Sequence, residues 1–206
     1  ANYTVTSTSG RTASGSSTWQ RDGTPPDLEI SLPPVDGRNG WYVSEVDLSA
    51  SATDAISGLT ILNGSLDGGT TWISFPIHFT DGEHLALIHA RDVAGNQVIV
   101  SRSIQVDTVA PVVQITSHTN GDVVQGDVQL SGSLEDLTSG PEGGEISIDG
   151  GVTWQPVLLE SGYWSFNWQS GEVPNGEYTI QVRGMDRASN DSAVTTISLT
   201  VDNAPP

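Results

Sequence analysis

Cysteine and lysine are both missing from this sequence of 206 residues. Without cysteine there can be no disulfide framework and no thiolate site, and cysteine usage does not indicate the redox state of the compartment. Seven arginines face 25 carboxylates, which gives a formal charge of −18. Such a surface repels phosphate groups and therefore excludes nucleic acid and an anionic membrane as partners. Divalent cations are the partners that this charge favours.

Long apolar runs and helical periodicity are missing as well. No stretch approaches the roughly 20 apolar residues that cross a membrane, and the first residues lack the basic and apolar regions of a signal peptide. If the protein is exported, we expect its signal or anchor outside these residues, with no membrane insertion by them. The 23 glycines and 11 prolines, with abundant Ser, Thr and Val, favour strands and turns over helices.

The second half of the sequence repeats the first. At a shift of 82 residues and without a gap, Asp67-Gly68-Gly69-Thr70-Thr71-Trp72 aligns with Asp149-Gly150-Gly151-Val152-Thr153-Trp154. The shift grows to 94 residues at Asp92 and Asp186, so the second copy holds about twelve extra residues. An internal repeat of this length indicates two small domains, which suits a hydrophobic content of 35%.

Each repeat is predicted to be a β-sandwich. Seven or so short alternating segments are separated by turn signals such as Ser57-Gly58 and Asp81-Gly82, at spacings of about 8 to 12 residues. We predict an all-β chain with sandwiches at 22–107 and 108–206. Residues 1–21 are interpreted as the closing β-hairpin of a preceding module or as an assembly strand.

Asp-Pro segments mark the predicted module joints, at Asp22-Gly23-Thr24-Pro25-Pro26, Val106-Asp107-Thr108-Val109-Ala110-Pro111 and Val201-Asp202-Asn203-Ala204-Pro205-Pro206. With the Ser-x-Asp-Gly-Gly-x-Thr-Trp hairpins and the turn Arg91-Asp92-Val93-Ala94-Gly95-Asn96, these joints resemble the tandem bacterial immunoglobulin-like domains of repetitive surface proteins and adhesins. The resemblance covers nearly the whole chain and implies tandem immunoglobulin-like β-sandwiches at the cell surface. Similar modules also serve as spacers in secreted hydrolases, so the implied function stays open.

The two Asp-Gly-Gly hairpins also resemble the Asp-box hairpins of sialidases and other β-proteins. Asp67 and Asp149 can accept hydrogen bonds from turn amides, and the glycines that follow permit positive φ. We therefore expect a structural role for both.

The immunoglobulin-like topology predicts where further aspartates meet. The loop between the second and third strands and the loop between the last two strands both lie where the chain enters the sandwich. Three carboxylates converging there would repel one another unless a cation lay among them, and Ca²⁺ prefers six to eight oxygen ligands. The resemblance supports this prediction, because similar joints of repetitive adhesins bind calcium. The candidate ligands are Asp22, Asp54 and Asp92 at the first joint, and Asp107, Asp136 and Asp186 at the second.

An alternative interpretation needs no metal. Each aspartate could cap its own turn, as aspartate often does in Asx-turns. If a cation is bound, Glu135, Asn96 and Asn190 could add oxygens.

Catalysis finds no support in the sequence. No serine lies in a Gly-x-Ser-x-Gly turn, the four histidines have no metal-ligand spacing, and the recurring carboxylates repeat between modules. Repetition suits architecture better than a single active centre, so we predict a non-enzymatic protein.

Three aromatic residues lie in the extra part of the second repeat. Tyr163, Trp164 and Trp168 could stack against sugar rings or a partner protein. They could instead belong to the core, with Tyr178 as the tyrosine corner near the start of its strand.

The leading hypothesis is a fragment of an extracellular bacterial surface protein, whose joints are stiffened by structural Ca²⁺. One alternative is a subunit of an extracellular filament or surface layer, which assembles with other copies of itself by strand addition through residues 1–21. Another is an accessory part of a secreted hydrolase that contacts surface glycans or proteins.

Overall fold

The computed structural model describes residues 2–16 and 21–205. Within these ranges the regular structure consists of strands and one 3₁₀ turn at Ser170–Glu172. None of the described residues forms a helix with the length and apolar character that a membrane crossing requires.

The strands form an N-terminal hairpin and two sandwiches. The hairpin contains β1 (Asn2–Thr6) and β2 (Thr12–Ser16). The first sandwich contains β3 (Asp27–Ser31), β4 (Trp41–Tyr42), β5 (Val46–Thr53), β6 (Leu59–Ser65), β7 (Ile77–Phe79), β8 (Gly82–Asp92) and β9 (Gln97–Val106). The second contains β10 (Val112–Ile115), β11 (Val123–Val124), β12 (Val128–Glu135), β13 (Pro141–Ser147), β14 (Gln155–Pro156), β15 (Leu158–Glu160), β16 (Tyr163–Trp168), β17 (Gly176–Asp186) and β18 (Thr195–Val201).

Both sandwiches have an immunoglobulin-like strand order. In the first, a sheet of order β3-β5-β7 faces a sheet of order β4-β9-β8-β6. In the second, β10-β12-β16-β15 faces β11-β18-β17-β13-β14. The chain enters each sandwich in one sheet and then crosses to the other, where β4 and β11 pair in parallel with the last strands, β9 and β18. The predicted fold class is therefore confirmed.

Alternating strands fill the core of the first sandwich. Along the first half of β5, buried Val46 and Leu48 alternate with exposed residues. Ile88 on β8 and Val106 on β9 pack in the same buried cluster. Each such side chain contributes roughly 1.5 to 3 kcal/mol of burial free energy. The period-two pattern therefore fixes the register of each strand, and with it the position of the loops at the strand ends.

The second sandwich has a larger core. Trp164 and Trp168 are 1% and 3% exposed and pack in one cluster with the apolar residues of both sheets. Tyr178 meets the Trp168 ring edge-on at a centroid distance of 5.2 Å, and its hydroxyl donates to the Pro174 carbonyl at 2.9 Å. This is the tyrosine-corner contact that one interpretation of the sequence anticipated.

The N-terminal hairpin repeats the last hairpin of the first sandwich. The Ser7 amide donates to the Arg11 carbonyl at 2.8 Å, as the Asp92 amide does to the Asn96 carbonyl at 3.0 Å. Ser7 thus occupies the position that Asp92 holds in the complete module. No hydrogen bond joins 2–16 to the rest of the described chain.

One expected strand is absent from the described first sandwich. The sequence predicts a hairpin from Asp67-Gly68-Gly69 onto residues 71–75, but Ile73 makes only an isolated bridge to Gly64. Pro76 follows at once and has no amide hydrogen to offer a neighbouring strand, which limits pairing there.

Candidate metal centres at the module joints

The structure brings the six candidate aspartates together as two groups of three, one at the entrance of each sandwich. In each group, one carboxylate oxygen from every residue lies within 4.8 Å of the oxygens from the other two. One group contains Asp22, Asp54 and Asp92, and the other contains Asp107, Asp136 and Asp186.

Strand ends place the three aspartates of the second joint. Asp107 follows β9 directly, and its amide donates to the Tyr42 carbonyl of the first sandwich at 2.8 Å. Asp136 follows β12, and Asp186 ends β17. Because strands β12 and β17 finish at the end where the linker arrives, three separate segments deliver their carboxylates to one point.

The aspartates both cap their own turns and belong to the shared carboxylate groups. The Oδ1 atom of Asp136 accepts hydrogen bonds from the amides of Thr138 (3.0 Å) and Gly140 (2.7 Å). Asp54 uses Oδ1 in the same way in the first sandwich. The Oδ2 atoms of both aspartates accept no hydrogen bond from the described residues, so capping leaves one oxygen of each available for a ligand.

The carboxylates of the second joint are withdrawn from solvent. Asp107 and Asp186 are fully buried. Burial raises the pKa of Asp186, two hydrogen bonds from Asn190 oppose that rise, and the negative charge of Asp107 adds to it. The Asn190 side-chain amide donates to Asp186 Oδ2 and to the Asp107 carbonyl, both at 2.8 Å. The Ser139 amide donates to Asp107 Oδ2 at 3.0 Å.

The first joint contains an unpaired oxygen. Asp92 is 1% exposed, and its carboxylate accepts from the Gly95 and Asn96 amides at 2.6 and 2.8 Å. Asp22 Oδ2 is shielded from solvent and accepts no hydrogen bond of ordinary geometry from the described residues. A buried carboxylate oxygen without a partner is costly, so this oxygen is suited to hold a cation.

Charge repulsion makes these groups unfavourable on their own. Two unit charges 4.8 Å apart repel by roughly 3 kcal/mol at an effective dielectric constant of 20. No arginine or histidine forms a described ion pair with any of the six aspartates. A cation would reverse the sign of these interactions, and donor groups that offer only oxygen fit Ca²⁺ better than metals that prefer nitrogen or sulfur.

The three extra candidates differ in their placement. Asn96 and Asn190 lie beside the groups, and both donate through their side-chain nitrogens to the aspartate that precedes them by four residues. Glu135 is exposed and contributes no oxygen to the second group.

Sequence reasoning missed a contact that fixes the linker from the first sandwich. Asp81 Oδ1 accepts a hydrogen bond from the Thr108 amide at 2.7 Å. Asn175 Oδ1 accepts from the Asn203 amide at 2.8 Å in the second sandwich. The available signal was the recurrence of Asp81-Gly82 as Asn175-Gly176 at the 94-residue shift.

The candidate aromatic ligands lie in different places. Trp164 is buried, and its indole nitrogen donates to the Gln114 carbonyl at 3.0 Å. Trp168 is buried beside Tyr178. Tyr163 is 70% exposed. Buried indole rings cannot stack on a sugar, so the structure assigns both tryptophans to the core and leaves Tyr163 alone on the surface.

The Asp-Gly-Gly hairpins are closed by their aspartates. Thr71 bonds to Asp67 through both its amide and its hydroxyl, and Thr153 does the same to Asp149. These threonine bonds, with a bond from the preceding serine, lower the pKa of each aspartate to about 2. In each hairpin the serine hydroxyl, that of Ser65 or Ser147, also accepts a hydrogen bond from the amide of the second glycine. Every oxygen is used within the turn, in keeping with a structural role.

Residues 111–182 match the family described as bacterial Ig domain. The match lies within the second sandwich, and it confirms the resemblance to bacterial immunoglobulin-like domains that the joints and turns indicated. The first sandwich has the same strand order, except that its described residues form no counterparts of the edge strands β14 and β15. No curated protein matches the sequence.

Several solved structures share the modular β-architecture. A tetra-tandem repeat from the extending region of a large adhesion protein has 18% identity and a TM-score of 0.47, over 98% of this chain and 55% of that one. The fibronectin(III)-like modules of CbhA from Clostridium thermocellum have 16% identity and a TM-score of 0.42, and the match covers 85% of this chain and 95% of that one. The endo-beta-1,4-mannanase from Thermotoga petrophila has 15% identity and a TM-score of 0.40, over 48% of this chain and 21% of its own. At these values the likeness says nothing about ligand or activity.

Proposed function

We propose that this chain is a non-enzymatic part of an extracellular bacterial surface protein, in which Ca²⁺ bound at the joints holds successive immunoglobulin-like modules in line. One observation carries the proposal. The same three positions, one on the linker and one on each of two loops, form a compact carboxylate group at both joints. Turn capping explains each aspartate singly but not their convergence.

The arrangement would restrict a hinge. Asp107 is tied to the first sandwich through its amide and points its carboxylate at two loops of the second. A cation held by Asp107, Asp136 and Asp186 would bind the linker to the second sandwich, so that the linker could no longer swing. The nearby Pro111 limits the remaining backbone freedom.

Calcium titration calorimetry tests the metal directly. We expect the protein to bind two Ca²⁺ per chain, and Asp136→Asn to lose one of them while the first joint keeps its own. The matched variant Asp54→Asn should lose the other. An exposed aspartate outside both groups, Asp191, provides the control, because Asp191→Asn should retain both sites. Absence of any heat of binding at millimolar Ca²⁺ would refute calcium binding.

Small-angle X-ray scattering tests the stiffening. With Ca²⁺ the maximum dimension and the shape of the distance distribution should be those of a straight chain, and a chelator should broaden the distribution. If the scattering curves with Ca²⁺ and with chelator coincide although calcium binds, the ion does not stiffen the joints.

A second function is favoured by the N-terminal hairpin. Strands β1 and β2 pair only with each other among the described residues, and their described side chains are largely exposed. Unpaired strand edges accept strands from other chains. Concentration-dependent oligomers that disappear on deleting residues 1–21 would support assembly through this hairpin, whereas a monomer at every concentration would refute it.

A further inference from the structure

A loop of the first sandwich touches the second sandwich beside the second carboxylate group. This loop, the clasp loop, consists of residues 36–40 and lies between β3 and β4. The Arg38 amide donates to the Ala188 carbonyl at 2.9 Å. The Asn39 side-chain amide donates to the Arg187 carbonyl, also at 2.9 Å. Two donors from one module thus bond to two successive carbonyls of the next.

The contact is closely packed. A Cβ atom on Gly37 would lie 2.6 Å from the Ala188 carbonyl oxygen and 2.7 Å from that of Trp41. Ala188 is fully buried. Asn39 has a φ of 55°, a left-handed conformation that asparagine tolerates better than most residues. The loop therefore needs glycine and asparagine at these two positions to reach its neighbour.

The first sandwich holds the clasp loop in shape. The Asp36 carboxylate accepts bonds from the Val43 amide at 2.9 Å and from the Ser44 hydroxyl at 2.5 Å. The Trp41 amide donates to the Arg38 carbonyl at 2.9 Å. These bonds close the loop within its own module, so the donors are already in position for the second sandwich.

The clasp loop docks on the turn that carries Asp186 of the second carboxylate group and the neighbouring Asn190. The Arg187 and Ala188 carbonyls lie between Asp186 and Asn190. The turn is closed by the Asn190 amide, which donates to Asp186 Oδ1 at 2.9 Å. Any shift of this turn would therefore move Asp186 relative to Asp107.

The equivalent loop of the second sandwich is built differently. In residues 117–122, Asn120 Oδ1 accepts from the Ser198 amide at 2.8 Å, and the Gly121 amide donates to the Ser198 carbonyl at 2.7 Å. This loop folds back on its own module. The hydrogen bonds of the clasp loop are therefore not repeated in residues 117–122.

We infer that the clasp loop restrains the relative orientation of the two sandwiches even without metal, and that it is coupled to the cation site through the shared turn. The coupling part rests on the proposed function, whereas the orientation part does not. A contact that holds the turn in the geometry required for metal binding raises the affinity for the metal. By the same coupling, bound metal strengthens the contact.

The absence of cysteine allows a clean test. Cysteines introduced at the exposed positions Ser101 and Gln129 would carry spin labels, one on each sandwich. In chelator, Asn39→Ala should broaden the distance distribution between the labels. The matched control Asn120→Ala removes the same residue type from the equivalent loop and should leave the distribution as it is in the unmutated protein in chelator. Calcium affinity at the second site should fall about fivefold in Asn39→Ala, at the low end of known couplings, with the first site unchanged.

The outcomes separate the two ideas. If Asn39→Ala and the control give the same distribution in chelator, the clasp loop does not restrain the orientation. If the distribution broadens but calcium affinity at the second site is unchanged, the coupling is refuted. If the unmutated protein binds no calcium, the proposed function fails, and the distance measurement in chelator still decides the role of the clasp loop.

Discussion

Replacing Asp136 by asparagine should change the stability of the second sandwich in opposite directions with and without calcium. Asparagine has the same shape and keeps the oxygen that accepts from the Thr138 and Gly140 amides. It replaces the other oxygen, which accepts no bond from the described residues, by an uncharged amide. The substitution therefore removes a charge and a metal ligand but keeps the cap.

The magnitude follows from the geometry of the group. Asp136 lies within 4.8 Å of two other carboxylates, and each pair repels by roughly 1 kcal/mol in a water-like medium and roughly 3 kcal/mol at an effective dielectric constant of 20. Asp136 is half-buried, so loss of two repulsions should stabilise the metal-free protein by at least about 1 kcal/mol. With Ca²⁺ at 100 times its Kd, the unmutated protein gains about 2.7 kcal/mol, which the variant should lose.

Scanning calorimetry in chelator and in saturating Ca²⁺ measures the change in stability under both conditions. We expect Asp136→Asn to unfold at a higher temperature than the unmutated protein in chelator and at a lower one in Ca²⁺. Asp54→Asn should show the same inversion at the first joint. Equal destabilisation in both buffers would mean that Asp136 acts only as a turn cap, and the cation-site argument would then be wrong.

Three further changes test the fold and its turns. The pKa of Asp149 is lowered to about 2, so its stabilising effect is complete above pH 3.8 and is lost as pH falls towards 2; carboxyl NMR titration should show this, and Thr153→Val should raise the pKa. Gly132→Ala should prevent folding of the second sandwich, because the added Cβ would lie 1.8 Å from the Gln114 carbonyl oxygen; a native NMR spectrum would contradict this. Tyr178→Phe should cost about 1 kcal/mol in urea denaturation, and an unchanged midpoint would exclude a role for its hydroxyl bond.

The carboxylate groups were predictable because repetition and topology constrain them together. Asp54 and Asp136 recur at a fixed shift, and the immunoglobulin-like strand order sends the loops that carry them to the entry end of the sandwich. The burial of Asp107 and Asp186 was not predictable, because it depends on how two modules meet. Pattern alone also left Trp164 undecided, since a strand tryptophan can face either a core or a ligand.

The clasp loop had no signal in the sequence. Its counterpart in the second repeat differs in composition, so alignment of the repeats drew no attention to Gly37 or Asn39. The contact depends on the relative placement of the two modules, and no periodicity within one module encodes that. Sequence patterns describe each module well because its strands must bury one face, whereas the fit between modules is set by individual side chains.

The parallel pairing of the second and last strands of each sandwich decides how each module would respond to a pull on the chain. Tension would act on β4 from its beginning and on β9 from its end. These strands run in the same direction and are paired at Trp41 with Gln105 and at Tyr42 with Val106. The load would therefore fall across these bonds in shear, so they would have to break together and not one after another. Strands β11 and β18 repeat this geometry, so in each module the second and last strands are tied together against extension.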